Sequence, residues 1–153
     1  MRVQISLLVL VSLLTFCQTS TKPGPPKTSG ALTGTWKLIS GTLIEKGDTV
    51  TTDYTKNTSF IKIINENHFA FLQHDLSKGK DSASGFSSGG GKYTLQDSSY
   101  TEHLEYCSAR EWEGHDFNFR IQIANDTLVQ RGTEVVESAG INRINIEKYV
   151  RLK

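Results

Sequence analysis

From Leu32 onward the chain alternates. Apolar and polar residues exchange every second position, in short runs broken by Gly, Asn and Asp. That is the period of half-buried strands, and no long 3.6-residue apolar period competes with it. Residues 116–124 (DFNFRIQIA) are the clearest case. Phe117, Phe119, Ile121 and Ile123 fall on one face, with Asn118, Arg120 and Gln122 on the other. Residues 35–43, 49–54, 59–64, 68–74, 92–96, 100–109, 127–131 and 145–152 read as further strands. Residues 134–140 (EVVESAG) are the one stretch that predicts a short helix or turn. Asn125-Asp126 is a two-residue hairpin signal. About eight to ten strands at spacings of ~8–12 residues predict an all-β antiparallel domain, a sandwich or a barrel. Closure into a barrel is favoured because it removes exposed strand edges.

The N-terminus follows another rule. Arg2 precedes residues 5–16 (ISLLVLVSLLTF), which are almost continuously apolar. Twelve helical residues span about 18 Å, short of a ~30 Å hydrocarbon core but suited to an export signal. Leu14-Thr15-Phe16-Cys17 resembles the lipobox of bacterial lipoproteins, with Phe16 standing where a small residue is usual. Cys17 is therefore a candidate for lipidation, and ordinary cleavage with a soluble product is the alternative. Residues 18–31 (QTSTKPGPPKTSGA) hold all three prolines and read as a flexible tether. The expected organisation is a signal at 1–17, a tether at 18–31 and one barrel at 32–153. The expected address is the cell envelope, by a lipid anchor, or the periplasm or exterior.

Charge and cysteine content narrow the function. Seventeen Lys and Arg against sixteen Asp and Glu leave a net charge of +1. This balance gives no basic footprint for a nucleic acid. With Cys17 lipidated or removed, Cys107 has no partner, so no structural disulfide is expected.

Strand 100–109 carries the candidate chemistry. Strict alternation places Tyr100, Glu102, Leu104 and Tyr106 on one face, and Thr101, His103, Glu105 and Cys107 on the other. With the first set inward, Glu102 is a carboxylate among aromatic rings, its pKa pushed up unless it is paired. It would either orient a ligand or pair with an internal Arg or Tyr. His103-x-Glu105-x-Cys107 offers three metal-ligand types, but no Cys/His pair stands at zinc-site spacing, so no metal or other cofactor is expected. There is no HExxH, and no catalytic residue is assigned. Gly89-Gly90-Gly91 precedes a strand rather than a helix, and reads as a turn or bulge at a barrel corner.

Gly34-Thr35-Trp36 resembles the Gly-x-Trp that opens the first strand of lipocalins and fatty-acid-binding proteins. In those families the Trp plugs the closed end of the barrel, under a basic residue from the last strand. The resemblance assigns these roles to Gly34, Trp36 and Arg151. Most of 32–153 is similar to the uncharacterised lipocalin-like domains of secreted bacterial proteins. The likeness is carried by Asn67-His68-Phe69-Ala70-Phe71, Gly89-Gly90-Gly91-Lys92-Tyr93-Thr94-Leu95, Tyr100-Thr101-Glu102 and Glu105-Tyr106. It implies a barrel, an exported location and, loosely, ligand binding. The expectation is an exported lipocalin-like protein that binds a small, mostly apolar molecule inside the barrel. The expected lining is Phe69, Phe71, Tyr93, Tyr100, Glu102, Tyr106, Phe117 and Phe119. A packed barrel that binds a protein or glycan on its outside is the alternative, and a small barrel enzyme a further one.

Overall fold

The computed structural model describes residues 28–80 and 85–153. The export signal, the Cys17 lipidation and most of the tether lie outside the described residues. The end of the tether is corrected: Thr28–Leu32 form a short helix, α1, ahead of the barrel.

Nine antiparallel strands follow: β1 (Gly34–Glu45), β2 (Asp48–Asp53), β3 (Thr58–Ile64), β4 (His68–Asp75), β5 (Phe86–Gln96), β6 (Ser99–Cys107), β7 (Asp116–Ala124), β8 (Thr127–Val136) and β9 (Ile141–Leu152). Each pairs with its neighbour in the order β2-β1-β3-β4-β5-β6-β7-β8-β9, and β9 returns to pair with β1. Eight strands therefore close a barrel and β2 is an addition to it. Residues 34–37 of β1 pair with β3, while residues 40–45 pair with β2. The all-β antiparallel barrel predicted from alternation is the fold observed.

The turns divide by end. At one end lie Asn65 to Asn67, Asp97-Ser98 and Asn125-Asp126, all tight. Asn125 and Asp126 both adopt positive φ, 48° and 59°. That is the paired left-handed geometry whose twist matches a two-residue hairpin. The longer connections, including the 3-10 turns Arg110–Trp112 and Glu137–Ala139, lie at the other end, the mouth. The helix or turn expected over 134–140 is corrected in part. β8 runs on to Val136 because Glu134, Val135 and Val136 pair with Arg143, Asn142 and Ile141.

The closed end is packed. Leu32, Trp36, Tyr100, Leu128 and Tyr149 are each 0 % exposed. The Trp36 indole N–H donates to the Leu32 carbonyl at 2.8 Å, which ties the plug to α1. The Arg151 guanidinium lies 4.0 Å from the Trp36 ring centroid, a contact worth ~0.5–2 kcal/mol. It also donates to the carbonyls of Thr33 (2.8 Å) and Ala31. Gly34 has φ +145°, and a Cβ there would overlap the Arg151 guanidinium. The Gly-x-Trp and the terminal Arg thus form one clasp.

Two bulges separate the closed end from the mouth. In β1 the pairing steps from Leu38↔Tyr149 to Ser40↔Lys148, leaving Ile39 as the extra residue. In the β5–β6 pair it steps from Gly91↔Leu104 to Gly90↔Tyr106, leaving Glu105 extra. An extra residue reverses which positions face inward. Below the first bulge Trp36 and Leu38 point in, and above it Gly41 and Leu43 line the interior. Below the second, Tyr100, Glu102 and Leu104 are buried, and above it Cys107 lines the interior. The inward placement of Tyr106 is therefore corrected: it stands outside the barrel, 68 % exposed. Glycine is needed at the step, since a Cβ on Gly91 would overlap the main-chain oxygen of His103.

Candidate functional site

The mouth half of the barrel holds a cavity of about 250 Å³. Its apolar wall is Leu38, Leu43, Tyr54, Phe60, Phe71, Leu104, Trp112, Phe117 and Phe119. Phe60 and Phe71 stack at 5.8 Å, and Tyr54 meets Phe60 edge-on at 5.9 Å. Trp112 comes from the 3-10 turn after β6 and packs on Phe117 at 5.6 Å. The alternation of β3, β4 and β7 alone puts Phe60, Phe71, Phe117 and Phe119 on this wall.

Its floor is ionic. Lys62 sits between Phe60 and Ile64 on the inward face of β3 and is 3 % exposed. Its ammonium reaches across the barrel. It donates to Glu102 Oε1 on β6 at 2.6 Å and to Gln130 Oε1 on β8 at 3.2 Å, and stands 4.0 Å from Glu147 Oε2 on β9. Tyr149 Oη donates to Glu147 Oε2 at 2.8 Å. The rings of Phe69 and Tyr149 lie 5.6 and 5.4 Å from the ammonium, on the closed-end side. A buried charge requires this density of partners, because desolvating an unpaired ion costs far more than any single contact returns.

A second polar group climbs the wall toward the mouth. Glu134 accepts from the Arg143 Nε at 2.7 Å and from the Asn145 amide at 2.7 Å, so both of its oxygens are used. The Arg143 guanidinium also lies 5.2 Å from the Trp112 ring centroid. Glu134 and Arg143 are cross-strand partners on β8 and β9, which explains the short contact.

Burial and charge pull the floor in opposite directions. Burial pulls the Lys62 ammonium down, but the carboxylates of Glu102 and Glu147 outweigh it and hold its pKa above the ordinary value. Burial pushes the Glu102 carboxyl up; Lys62 only partly offsets this, and the charge of Glu147 adds to it. Burial raises the Tyr149 phenol, helped by Glu147, and raises that of Tyr100, helped by Glu102. Among the described residues no hydrogen bond of ordinary geometry reaches the buried Tyr100 hydroxyl, although the Glu102 carboxyl lies close enough to act on it.

Of the eight residues expected to line the interior, Phe71, Glu102, Phe117 and Phe119 line the cavity. Phe69, Tyr93 and Tyr100 are corrected: they are buried in the closed end, below the Lys62 floor. The Tyr93 hydroxyl donates to the carbonyls of Asn65 and Glu66 in the tight turn there. Tyr106 is outside. Among His103, Glu105 and Cys107 the bulge separates the set. His103 bonds Asp116 at 2.7 Å, Glu105 faces Lys92 at 3.9 Å, and Cys107 lines the cavity.

Lys62, Gln130, Glu134, Arg143, Asn145, Glu147 and Tyr149 are missing from the expected set. Alternation held the signal for Lys62, which shares a face with Phe60 and Ile64. It also held that for Gln130, which shares one with Leu128. A polar residue on an apolar face marks an internal partner.

No family model matches the chain, and no curated protein is similar to it. Among solved structures it is similar to an uncharacterized protein from Bacteroides eggerthii at 12 % identity and a TM-score of 0.44, over 78 % of this chain and 98 % of that one.

Proposed function

We propose that this protein is an exported, lipocalin-like barrel that binds a small, mostly apolar molecule in its interior, without catalysis. The observation that carries the reading is the cavity of about 250 Å³, walled by aromatic rings above a polar floor. Apolar walls with a few fixed polar groups are the usual make-up of a small-molecule site. The volume falls between the ~150 Å³ that houses benzene and the ~300 Å³ where drug-sized pockets begin. It suits a ligand of one ring or a short chain with one polar end. A non-catalytic role fits the way the acids are held: Glu102 is tied to Lys62, and Glu134 to Arg143 and Asn145. Cys17 is the proposed anchor to the cell envelope.

Native mass spectrometry of the protein, isolated gently from its own host, tests the reading. The expected result is a reproducible added mass of small-molecule size that departs on denaturation. A bare protein mass, with no thermal shift across a panel of single-ring compounds, would overturn it.

A further inference from the structure

The interior does not balance its charge. Among the described residues, Glu102, Glu134 and Glu147 are three carboxylates around the cavity, and Lys62 and Arg143 are the two cations that face them. Both cations are already committed. Lys62 is 3 % exposed and lies between Glu102, Gln130 and Glu147, while Arg143 is held by Glu134 and by the Trp112 face. Glu147 is the carboxylate left over. Its bonded donor is the neutral Tyr149 hydroxyl, and its nearest cation is the shared Lys62 at 4.0 Å. Its side chain is 16 % exposed, so it opens on the cavity rather than on bulk water. Uncompensated charge in a poorly hydrated site is costly, and an incoming opposite charge offsets that cost. An incoming anion would add a fourth negative group and find no uncommitted cation.

The walls point the same way. Tyr54, Phe60, Phe71 and Trp112 surround the space above Glu147. Aromatic faces attract cations, most strongly where water is excluded. A carboxylate floor under an aromatic wall matches a molecule with an ammonium at one end and an apolar body.

We propose that the natural ligand is a small organic amine, its ammonium placed at Glu147 and its apolar part against Phe71, Phe60 and Trp112. This rests on the ligand-binding reading above and specifies its cargo. Neutral and anionic isosteres make the same apolar contacts, and differ in having no charge or the opposite one.

The test is calorimetric titration of the full chain with 2-phenylethylamine, 2-phenylethanol and phenylacetate at pH 7. The amine is expected to bind at least about 10-fold tighter than the alcohol, a difference of about 1.4 kcal/mol. Phenylacetate should be weakest. Glu147→Gln is expected to bring the amine-to-alcohol ratio close to one, and Glu147→Asp to restore most of it. If Glu147→Gln does not fold, the order of the three compounds on the native protein decides alone. Binding of the alcohol or the acid as tightly as the amine would overturn the amine assignment and leave the ligand-binding reading standing. Binding of none of the three would count against both.

Discussion

The two halves of this barrel are made from the same strands and differ in what they do with space. In the closed half Trp36, Tyr100, Leu128 and Tyr149 are fully buried and the polar groups are few. In the mouth half the same strands surround about 250 Å³, with Glu134, Arg143, Asn145 and Glu147 among the walls. Lys62 and its partners form the partition. Filled interior gives stability, since each buried ring adds transfer energy and dispersion contact. Unfilled interior gives a place for a ligand, at the cost of those contacts. The partition lets one fold have both.

The comparison breaks most readily at the plug. Trp36→Ala is expected to cost about 3–5 kcal/mol, read as the shift in urea unfolding, because the ring is fully buried and Arg151 loses the face it covers. A loss under about 1 kcal/mol would mean that the closed end is not the stabilising half. The partition comes next. Lys62→Met leaves Glu102 and Glu147 buried without their cation and is expected to cost about 3 kcal/mol or more, whereas Lys62→Met with Glu102→Met should regain much of it. Equal losses for the single and double variants would show that the ion pair is not the source. Phe71 faces the cavity and is already partly exposed, so Phe71→Ala should cost less than about 2 kcal/mol by the same measurement.

A smaller effect lies in the pH dependence. Glu102 has a folded pKa raised above its ordinary 4.5, so above pH 4.5 the folded state binds more proton than the unfolded chain. Stability from this group therefore falls as pH rises from 4.5 through the folded value. The unfolding free energy of the native protein minus that of Glu102→Gln should therefore fall, with its sign kept, over that window. A difference that grows with pH would mean that Lys62 pulls the carboxyl down instead. The smallest change expected is Tyr100→Phe, a shift under about 1 kcal/mol in the urea assay, because no hydrogen bond of ordinary geometry holds its buried hydroxyl and only the nearby Glu102 acts on it. A clear loss would reveal a bond to that hydroxyl.

The closed half was the more legible in sequence. Gly34, Trp36 and Arg151 carry a local motif, and β7 alternates without interruption from Phe117 to Ile123. In the mouth half, alternation placed Phe71, Phe117 and Phe119 on the wall but failed above the β6 bulge. Alternation extended through strand 100–109 put Tyr106 inside, and one extra residue, Glu105, put it outside and brought Cys107 in. A bulge is set by main-chain pairing with a facing strand, here the Gly90-Gly91 step, and no periodicity within β6 records it. The polar floor was missed for a related reason. Lys62, Gln130 and Glu147 are far apart in sequence, on strands that otherwise read as ordinary alternation. Gln130 and Glu147 meet as partners in the β8–β9 pair, and only closure of the barrel brings Lys62 against them. The apolar lining follows from local pattern, whereas the Lys62–Glu102 contact across the floor depends on the barrel's curvature.

Pairing of β1 with β9 has a consequence for how the molecule is made. The last strand completes the ring opened by the first, so no sub-fragment that ends before residue 141 can close it. Such long-range closure is slow, on the order of milliseconds to seconds for barrels of this type. Until β9 pairs, β1 and β8 keep bare edges, and bare edges recruit other chains. The Arg151 clasp on the carbonyls of Ala31 and Thr33 needs β9 in place, and it ties the two ends of the barrel domain together only once the ring is complete.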